Sequence, residues 1–214
     1  MKVLELFAGF AGFSNACKAR GHETFTIDWD ERFDADFHAD ISKLKLEDLP
    51  EEWRHPDVVF AGTDCTSYSV AAISKHRRKN PETGNLDPIS EKAKFSDAMN
   101  KHVRELMKEM NPKIIIFENP MGAFRKMDFV QDLILNTTTY CQWGFTYRKQ
   151  TDFMSNIDLH LKPPCKNGSP CHEKAPRGAR TGLQAITDPA LKAVYPPKLC
   201  THLVKECEDY IRRN

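Results

Sequence analysis

No apolar run in the 214 residues approaches the ~18 residues a membrane-spanning helix needs, so no membrane partner is expected. The opening stretch MKVLELFAGF has one lysine but neither the apolar core nor the small-residue cleavage site of an export signal; it is expected to form a first strand. Charge of one sign is also scarce: 31 basic against 30 acidic residues leave +1, and bulk charge therefore selects no partner. Neither G-x-x-x-x-G-K-S/T nor G-x-G-x-x-G occurs, which excludes a P-loop and the common dinucleotide fingerprint. Internal repeats, low-complexity segments and a clean interdomain linker are missing. The seven cysteines are an odd number without regular spacing. That pattern points to free thiols in a reducing compartment, hence a cytoplasmic setting, and leaves catalytic or metal-binding roles open.

What is present is an ordinary soluble composition, 40% hydrophobic and 29% charged, long enough for one α/β domain with a substantial core and a small appendage. Short β-rich runs alternate with helical patterns. Residues 2–9, 23–28, 57–62 and 113–119 are expected strands, the last a continuous apolar run of the kind buried on both faces. A short helix is expected over 12–20, with Gly21 just past its end, and a helix or turn over 42–49. Phe95, Met99, Val103, Leu106 and Met110 recur at helical spacing, with Ser90 or Ser96 as cap and Asn111-Pro112 as stop. A further helix is expected over 121–136, a strand or hairpin over 143–157, a loop module over 162–190, and a last helix from near Pro197 to about Arg212. This alternation implies a mostly parallel sheet with helices on both faces, whose ligands collect at the carboxyl ends of the strands.

Five places at those ends stand out. Phe7 to Phe13, FAGFAGF, has glycines at 9 and 12 for a tight turn, which either a structural corner or a bound ligand requires. Asp28-Trp29 ends the second strand, where a carboxylate can accept ribose hydroxyls and an indole can stack on a purine. Asp40-Ile41 suits either an adenine amine or a helix N-cap. Gly62 to Ser69, GTDCTSYS, sets Cys65 among polar residues just past a buried strand, where an inert core thiol is out of place. Phe117 to Pro120, FENP, holds Glu118 rigidly at a strand exit, either as a cap or against a ring nitrogen. Close after Cys65 comes the basic run Lys75-His76-Arg77-Arg78-Lys79, a solvated loop or, as its position favours, a mobile loop that meets phosphates.

In order and spacing these motifs resemble the C5-cytosine DNA methyltransferases. That family's D-L-F-A-G-x-G-G-F is matched by Glu5 to Phe13, its acidic residue and Trp by Asp28-Trp29, and its G-D-I by Ala39-Asp40-Ile41. Its nucleophile motif G-x-P-C-Q-x-F-S is matched by Gly62 to Ser69 and its E-N-V by Glu118-Asn119-Pro120. The likeness runs over roughly residues 1–150. Asp64 replaces the family's proline and Thr66 its glutamine, Q-x-R-x-R is only approximated by Tyr147 to Thr151, and Tyr195 to Leu199, YPPKL, stands in for the motif that returns to the cofactor pocket.

The resemblance implies a Rossmann-like class I S-adenosylmethionine-dependent methyltransferase fold. The catalytic domain is expected over 1–158 and 191–214, with a reduced target-recognition module over 159–190. Cofactor contacts are implied for Phe7, Ala8, Gly9, Phe10, Ala11, Gly12, Phe13, Asp28, Trp29, Asp40, Ile41 and Gly62. Catalysis falls to Cys65 and Glu118, with Arg148 and Lys149 near the target base; nucleic-acid contacts fall to Ser69, Lys75, Arg77, Arg78 and Lys79. The implied reaction is attack of the Cys65 thiolate on C6 of a flipped-out cytosine in DNA, followed by methylation at C5. The short recognition region implies loose specificity or a partner that supplies it. The same chemistry on RNA or an unusual pyrimidine, and a degenerate nucleic-acid-binding homologue, stay open; no D/N/S-P-P-Y/F tetrapeptide supports an amino-methyltransferase. Separately, Cys165, Cys171 and His172 offer three ligands to a zinc ion, with Cys200, His160 or His202 as a fourth, or else form a loop with unligated thiols.

Overall fold

The computed structural model describes residues 1–174 and 192–214. The strands and helices are β1 (Lys2–Leu6), α1 (Gly12–Lys18), β2 (Glu23–Asp28), β3 (Phe37–His38), β4 (Val58–Gly62), α2 (Ile73–His76), β5 (Arg77–Lys79), β6 (Leu86–Pro88), α3 (Glu91–Met110), β7 (Ile114–Pro120), β8 (Ile134–Thr139), β9 (Gln150–Ser155) and α4 (Pro197–Arg213). Seven strands form one sheet in the order β3-β2-β1-β4-β7-β9-β8, and β5 pairs with β6 in a separate small hairpin. β1, β2, β3, β4 and β7 pair in parallel. β9 runs antiparallel to both β7 and β8 and is the one reversed strand of the sheet among the described residues. This is the mostly parallel Rossmann-like architecture that the resemblance implies.

Alternation along the strands builds two cores. Leu4, Leu6, Val59, Ala61, Ile115, Phe117 and Met154 face the layer under α3. Val3, Val58, Phe60, Ile114, Ile116 and Phe153 face the layer under α1 and α4, where Phe13 stacks on Phe60 at 4.7 Å. Because both faces are covered, the central strands read as near-continuous apolar runs. Each such buried side chain contributes roughly 1.5–3 kcal/mol against exposure, so the strand directions and registers are strongly specified.

α3 starts where Ser90 accepts a hydrogen bond from the Ala93 amide and stops at Asn111, whose φ of 49° turns the chain before Pro112. Its first stripe residue departs from the pattern: Phe95 is 58% exposed, at the rim of a cavity. The expected helix over 121–136 does not form. Two 3-10 turns, Phe124–Lys126 and Asp128–Val130, lead into β8 instead. The Gln131 side chain donates through Nε2 to the carbonyls of Arg125 and Met127, and the β-branched run Thr137-Thr138-Thr139 suits a strand. Of the module expected over 159–190, residues 159–174 are described and the remainder lies outside the described residues. Among the described residues no helix is long and apolar enough to cross a membrane.

Candidate active site

β1, β4 and β7 end side by side. At their carboxyl ends lies a cavity of about 540 Å³, lined among others by Phe7, Gly9, Gly62, Cys65, Glu118 and Lys149. Parallel pairing sets Gly62 against Glu118, so the loop that carries Cys65 leaves the sheet beside that carboxylate.

The turn after β1 is unusual in backbone. Phe7, Gly9 and Ala11 all have left-handed φ, 57°, 51° and 51°. For the two non-glycine residues that conformation costs roughly 1–2 kcal/mol each, so neighbours must hold it. The Gly9 amide donates to Asp28 Oδ2 at 2.8 Å, the Ala11 amide to the Ala8 carbonyl at 2.7 Å, and the Ser14 amide to Glu5 Oε2 at 2.7 Å. Asp28 is buried, and its Oδ1 accepts the Asp30 amide at 2.9 Å. The carboxylate expected at a ribose thus also braces the turn. Phe13, expected at the cofactor, is a fully buried core ring because it follows the turn into α1. At Gly12 a β-carbon would lie 3.1 Å from the Tyr195 ring, which would have to give by a few tenths of an ångström.

Asp64 accepts the Thr66 amide at 3.1 Å and the Thr66 hydroxyl at 2.6 Å, an Asx turn built by the residues that replace proline and glutamine. The Cys65 carbonyl then accepts the amides of Tyr68 and Ser69 at 3.1 and 2.9 Å. Beneath the loop lies a buried polar network. Arg77 donates through Nε to the Ser67 carbonyl at 2.9 Å and through Nη2 to Asp97 Oδ1 at 2.5 Å, with its guanidinium 4.3 Å from the Tyr68 ring centre. The Tyr68 hydroxyl donates to the same Asp97 oxygen at 2.7 Å.

Burial pushes the Cys65 thiol above its ordinary value; the Lys149 cation pulls it back, while Glu118 and Asp64 push it up. Glu118 is also raised, first by burial, against the Lys149 cation and hydrogen bonds from Tyr140 and Tyr195. Those hydroxyls lie 3.3 Å from Glu118 Oε1 and Oε2, and Lys149 Nζ lies 3.8 Å from Oε1. Lys149 in turn donates to the Lys192 carbonyl at 2.8 Å. The cavity therefore combines a thiol, a carboxyl group that holds its proton more tightly than usual, and a cation that stabilises the anionic form of each.

A second cavity, of about 570 Å³, is bordered by Phe7, Trp29, Asp40, Ile41, Asp64 and Phe95 and shares Phe7 with the first. Trp29 is 70% exposed there. Asp40 accepts the Ser42 amide and hydroxyl, and that hydroxyl is the main cause of its lowered carboxyl pKa, so it caps the local turn as well as facing the cavity. Phe7, Ala8, Gly9, Phe10 and Gly62 line the first cavity, Gly12 a third beneath α1, and Ala11 precedes α1 as its N-cap residue.

Arg148 and Ser69 also line the first cavity. Lys75, Arg78 and Lys79 are exposed on α2 and β5. Arg77 is the exception within the basic run: its side chain is fully buried, so its expected contact to phosphate is replaced by the bracing of the Cys65 loop. The basic run expected in a mobile loop lies instead on α2 and on β5 of the β5–β6 hairpin. For Cys165, Cys171 and His172, the fourth neighbour is Cys141. The expected alternatives are engaged elsewhere: Cys200 is buried in the α4 core, His160 faces Glu206 at 2.7 Å, and His202 faces the Leu159 carbonyl at 3.0 Å.

Tyr140, Asp97 and Cys141 escaped the motif search, whereas Tyr195, the start of the YPPKL segment expected to return to the cofactor pocket, does line the first cavity. Tyr140 follows β8 and packs beside Lys149 of the approach to β9, a juxtaposition that only strand pairing creates. Tyr195 reaches Gly62 across more than 130 positions, its hydroxyl 2.1 Å from where a β-carbon would sit.

A family model described as "C-5 cytosine-specific DNA methylase" matches residues 1–129. The type II methyltransferase M.AplI of Arthrospira platensis is 30% identical over 128 residues, which cover 58% of this chain and 32% of that protein. The type II methyltransferase M.CviJI of Paramecium bursaria Chlorella virus IL3A is 26% identical over 153 residues, covering 66% of this chain and 37% of that protein. The chain thus spans about a third of the length of these curated relatives. Among solved structures, the Entamoeba histolytica methyltransferase EhMeth aligns with a TM-score of 0.52 at 12% identity, covering 76% of this chain and 55% of that one, a likeness of fold.

Proposed function

The chain belongs to the C-5 cytosine-specific DNA methylase family, and on that premise we propose that it methylates C5 of cytosine in DNA, with S-adenosylmethionine as donor and Cys65 as covalent nucleophile. One observation carries the proposal: Cys65, Glu118 and Lys149 face one cavity, with the thiol and the carboxyl group both raised by burial and both countered by the same cation.

The residues fit the cofactor. Around the shared Phe7, one cavity offers Trp29, Phe95 and Ile41 as apolar surfaces for a purine and the Asp40 carboxylate for its amine. The other offers the left-handed turn at Phe7–Gly9, with nothing within 4 Å of the missing Gly9 β-carbon, for close approach of the donor end. When bound, S-adenosylmethionine supplies the electrophilic methyl group that C5 accepts.

The chain's own residues do the rest. Cytosine C5 is a weak nucleophile until C6 is attacked. The Cys65 thiolate adds to C6, and the ring becomes an enamine with charge at N3. Glu118, holding its proton through burial, donates to that edge of the ring, and Lys149 stabilises the carboxylate that remains. Loss of the C5 proton to water, return of the N3 proton to the Glu118 carboxylate and elimination of the thiolate then restore the aromatic ring. C6 is unreachable inside a duplex, so the base must be extruded at a cost of roughly a few kcal/mol. Arg78 and Lys79 on β5 supply positive charge to the phosphates beside it.

Duplexes carrying 5-fluorocytosine test the mechanism. Wild-type protein with S-adenosylmethionine is expected to give a denaturation-resistant adduct, and Cys65→Ser none, while binding the cofactor unchanged. A wild-type chain that forms no adduct, or a Cys65→Ser variant that still turns over, overturns the proposal. A parallel arm with tRNA distinguishes RNA as the substrate.

A further inference from the structure

The segment after β9 folds back across the sheet corner that follows β8. Cys141 stands in that corner, within the 3-10 turn Tyr140–Trp143, and Cys165, Cys171 and His172 come from the returning segment. All four ligand atoms lie within 4.8 Å of one another. Cys141 Sγ is 3.3 Å from Cys165 Sγ and 3.7 Å from Cys171 Sγ, and His172 Nδ1 is 3.6 Å from the sulfurs of both Cys165 and Cys171. None of these cysteines forms a disulfide.

We propose that Cys141, Cys165, Cys171 and His172 Nδ1 bind one zinc ion. Tetrahedral zinc with bonds of about 2.3 Å to sulfur and about 2.0–2.1 Å to nitrogen sets S···S near ~3.8 Å and S···N near ~3.6 Å. Three of the four measured separations match those edges to within about 0.1 Å, and the fourth requires an outward shift of Cys165 or Cys141 of about half an ångström. Three thiolates and an imidazole in this geometry select zinc over hard cations such as magnesium and calcium, which require oxygen ligands.

The surroundings suit a metal cross-link. Gln142 Nε2 lies 3.6 Å from Cys171 Sγ and donates toward its charge. The Cys165 amide donates to Thr139 Oγ1 at 3.1 Å, and the Glu173 amide to the Thr146 carbonyl at 2.8 Å, which fixes both ends of the strap. With the metal on Nδ1 the imidazole carries its hydrogen on Nε2, so the 3.3 Å contact from the Gly168 amide to Nε2 opens on metal uptake. Residues 162–174 include no strand or helix, and their apolar burial is slight, so a metal supplies the stability that packing does not. The consequence reaches the cavity: Arg148, on its wall, donates through Nε to the Cys165 carbonyl at 3.1 Å. The zinc site is a positioning device for Arg148, whatever substrate that cavity takes.

The 214-residue chain, purified without chelator and analysed for metals by mass spectrometry, is expected to hold about one zinc per molecule, falling below about a tenth in Cys171→Ala and His172→Ala while Cys65→Ala keeps it. Should those ligand variants fail to fold, chelator-treated wild-type protein titrated with cobalt(II) decides. Thiolate-to-cobalt charge transfer and the strong visible bands of a tetrahedral centre are expected. Folded, reduced wild-type protein with neither zinc nor these bands overturns the site, as does a folded Cys171→Ala/His172→Ala variant that keeps a full equivalent. Neither readout involves methyl transfer, so failure here and failure of the methylation proposal are distinguishable.

Discussion

Replacing Arg77 by alanine separates a bracing residue from a phosphate-binding one. Its side chain is 0% exposed and that of its partner Asp97 17%. Alanine removes the pair to Asp97, the hydrogen bond to the Ser67 carbonyl and the contact with the Tyr68 ring. Removing one member of a fully buried pair costs roughly 3–5 kcal/mol; Asp97 keeps the Tyr68 hydroxyl and some access to water, so about 3 kcal/mol is expected. With a urea m-value near ~2 kcal/mol/M for a domain of this size, the unfolding midpoint falls by about 1.5 M. Arg78→Ala, next in sequence but exposed, is expected to leave the midpoint unchanged and to reduce the salt slope of DNA binding by about 1. Folded Arg77→Ala protein at low temperature is expected to keep that slope while forming the Cys65 adduct more slowly. The assays are urea denaturation and DNA binding across a salt series for both variants. An Arg77→Ala midpoint equal to wild type, or a slope reduced as in Arg78→Ala, refutes the bracing role.

Lys149→Met removes the cation that lowers the Cys65 thiol, so the alkaline limb of single-turnover methylation is expected to move to higher pH, about tenfold in rate at fixed pH for each unit moved; an unmoved limb in the pH–rate profile counts against it. Glu5 is raised by burial from 4.5 to about 7, so it favours folding fully below pH 4.5 and loses that contribution as pH rises through about 7. The gap, about 7 − 4.5 or 2.5, corresponds to about 3 kcal/mol, and Glu5→Gln is expected to flatten the fall in stability between pH 5 and pH 8 by that order, read by denaturation at each pH. Gly62→Ala sets a β-carbon 2.1 Å from the Tyr195 hydroxyl and is expected to cost about 1–3 kcal/mol. Tyr195→Phe in the same chain should recover part of that loss; a double-mutant cycle with no coupling contradicts the contact.

The resemblance placed Cys65 and Glu118 at adjoining strand exits, and pairing of β4 with β7 brings them to one cavity because parallel strands end on the same edge. The residues that set their protonation were harder to see. Tyr140, Tyr195 and Lys149 converge on Glu118 from three separate segments, and no periodicity links them. The expected helix over 121–136 shows the other weakness of local patterns: its apolar spacing suited a helix, but pairing with β9 claims 134–139 as strand.

Strand and helix order, the two-faced burial of the sheet and the ends at which chemistry gathers follow from hydrophobic spacing, turn residues and the handedness of parallel connections, which act over a few residues at a time. Which of two adjacent arginines goes inside, which carboxylate is spent on a backbone amide, and which distant cysteine completes a set of four depend on contacts between segments far apart in the chain. Burial then sets the cost of each charge, and burial is a property of the packed molecule, absent from any single stretch of it.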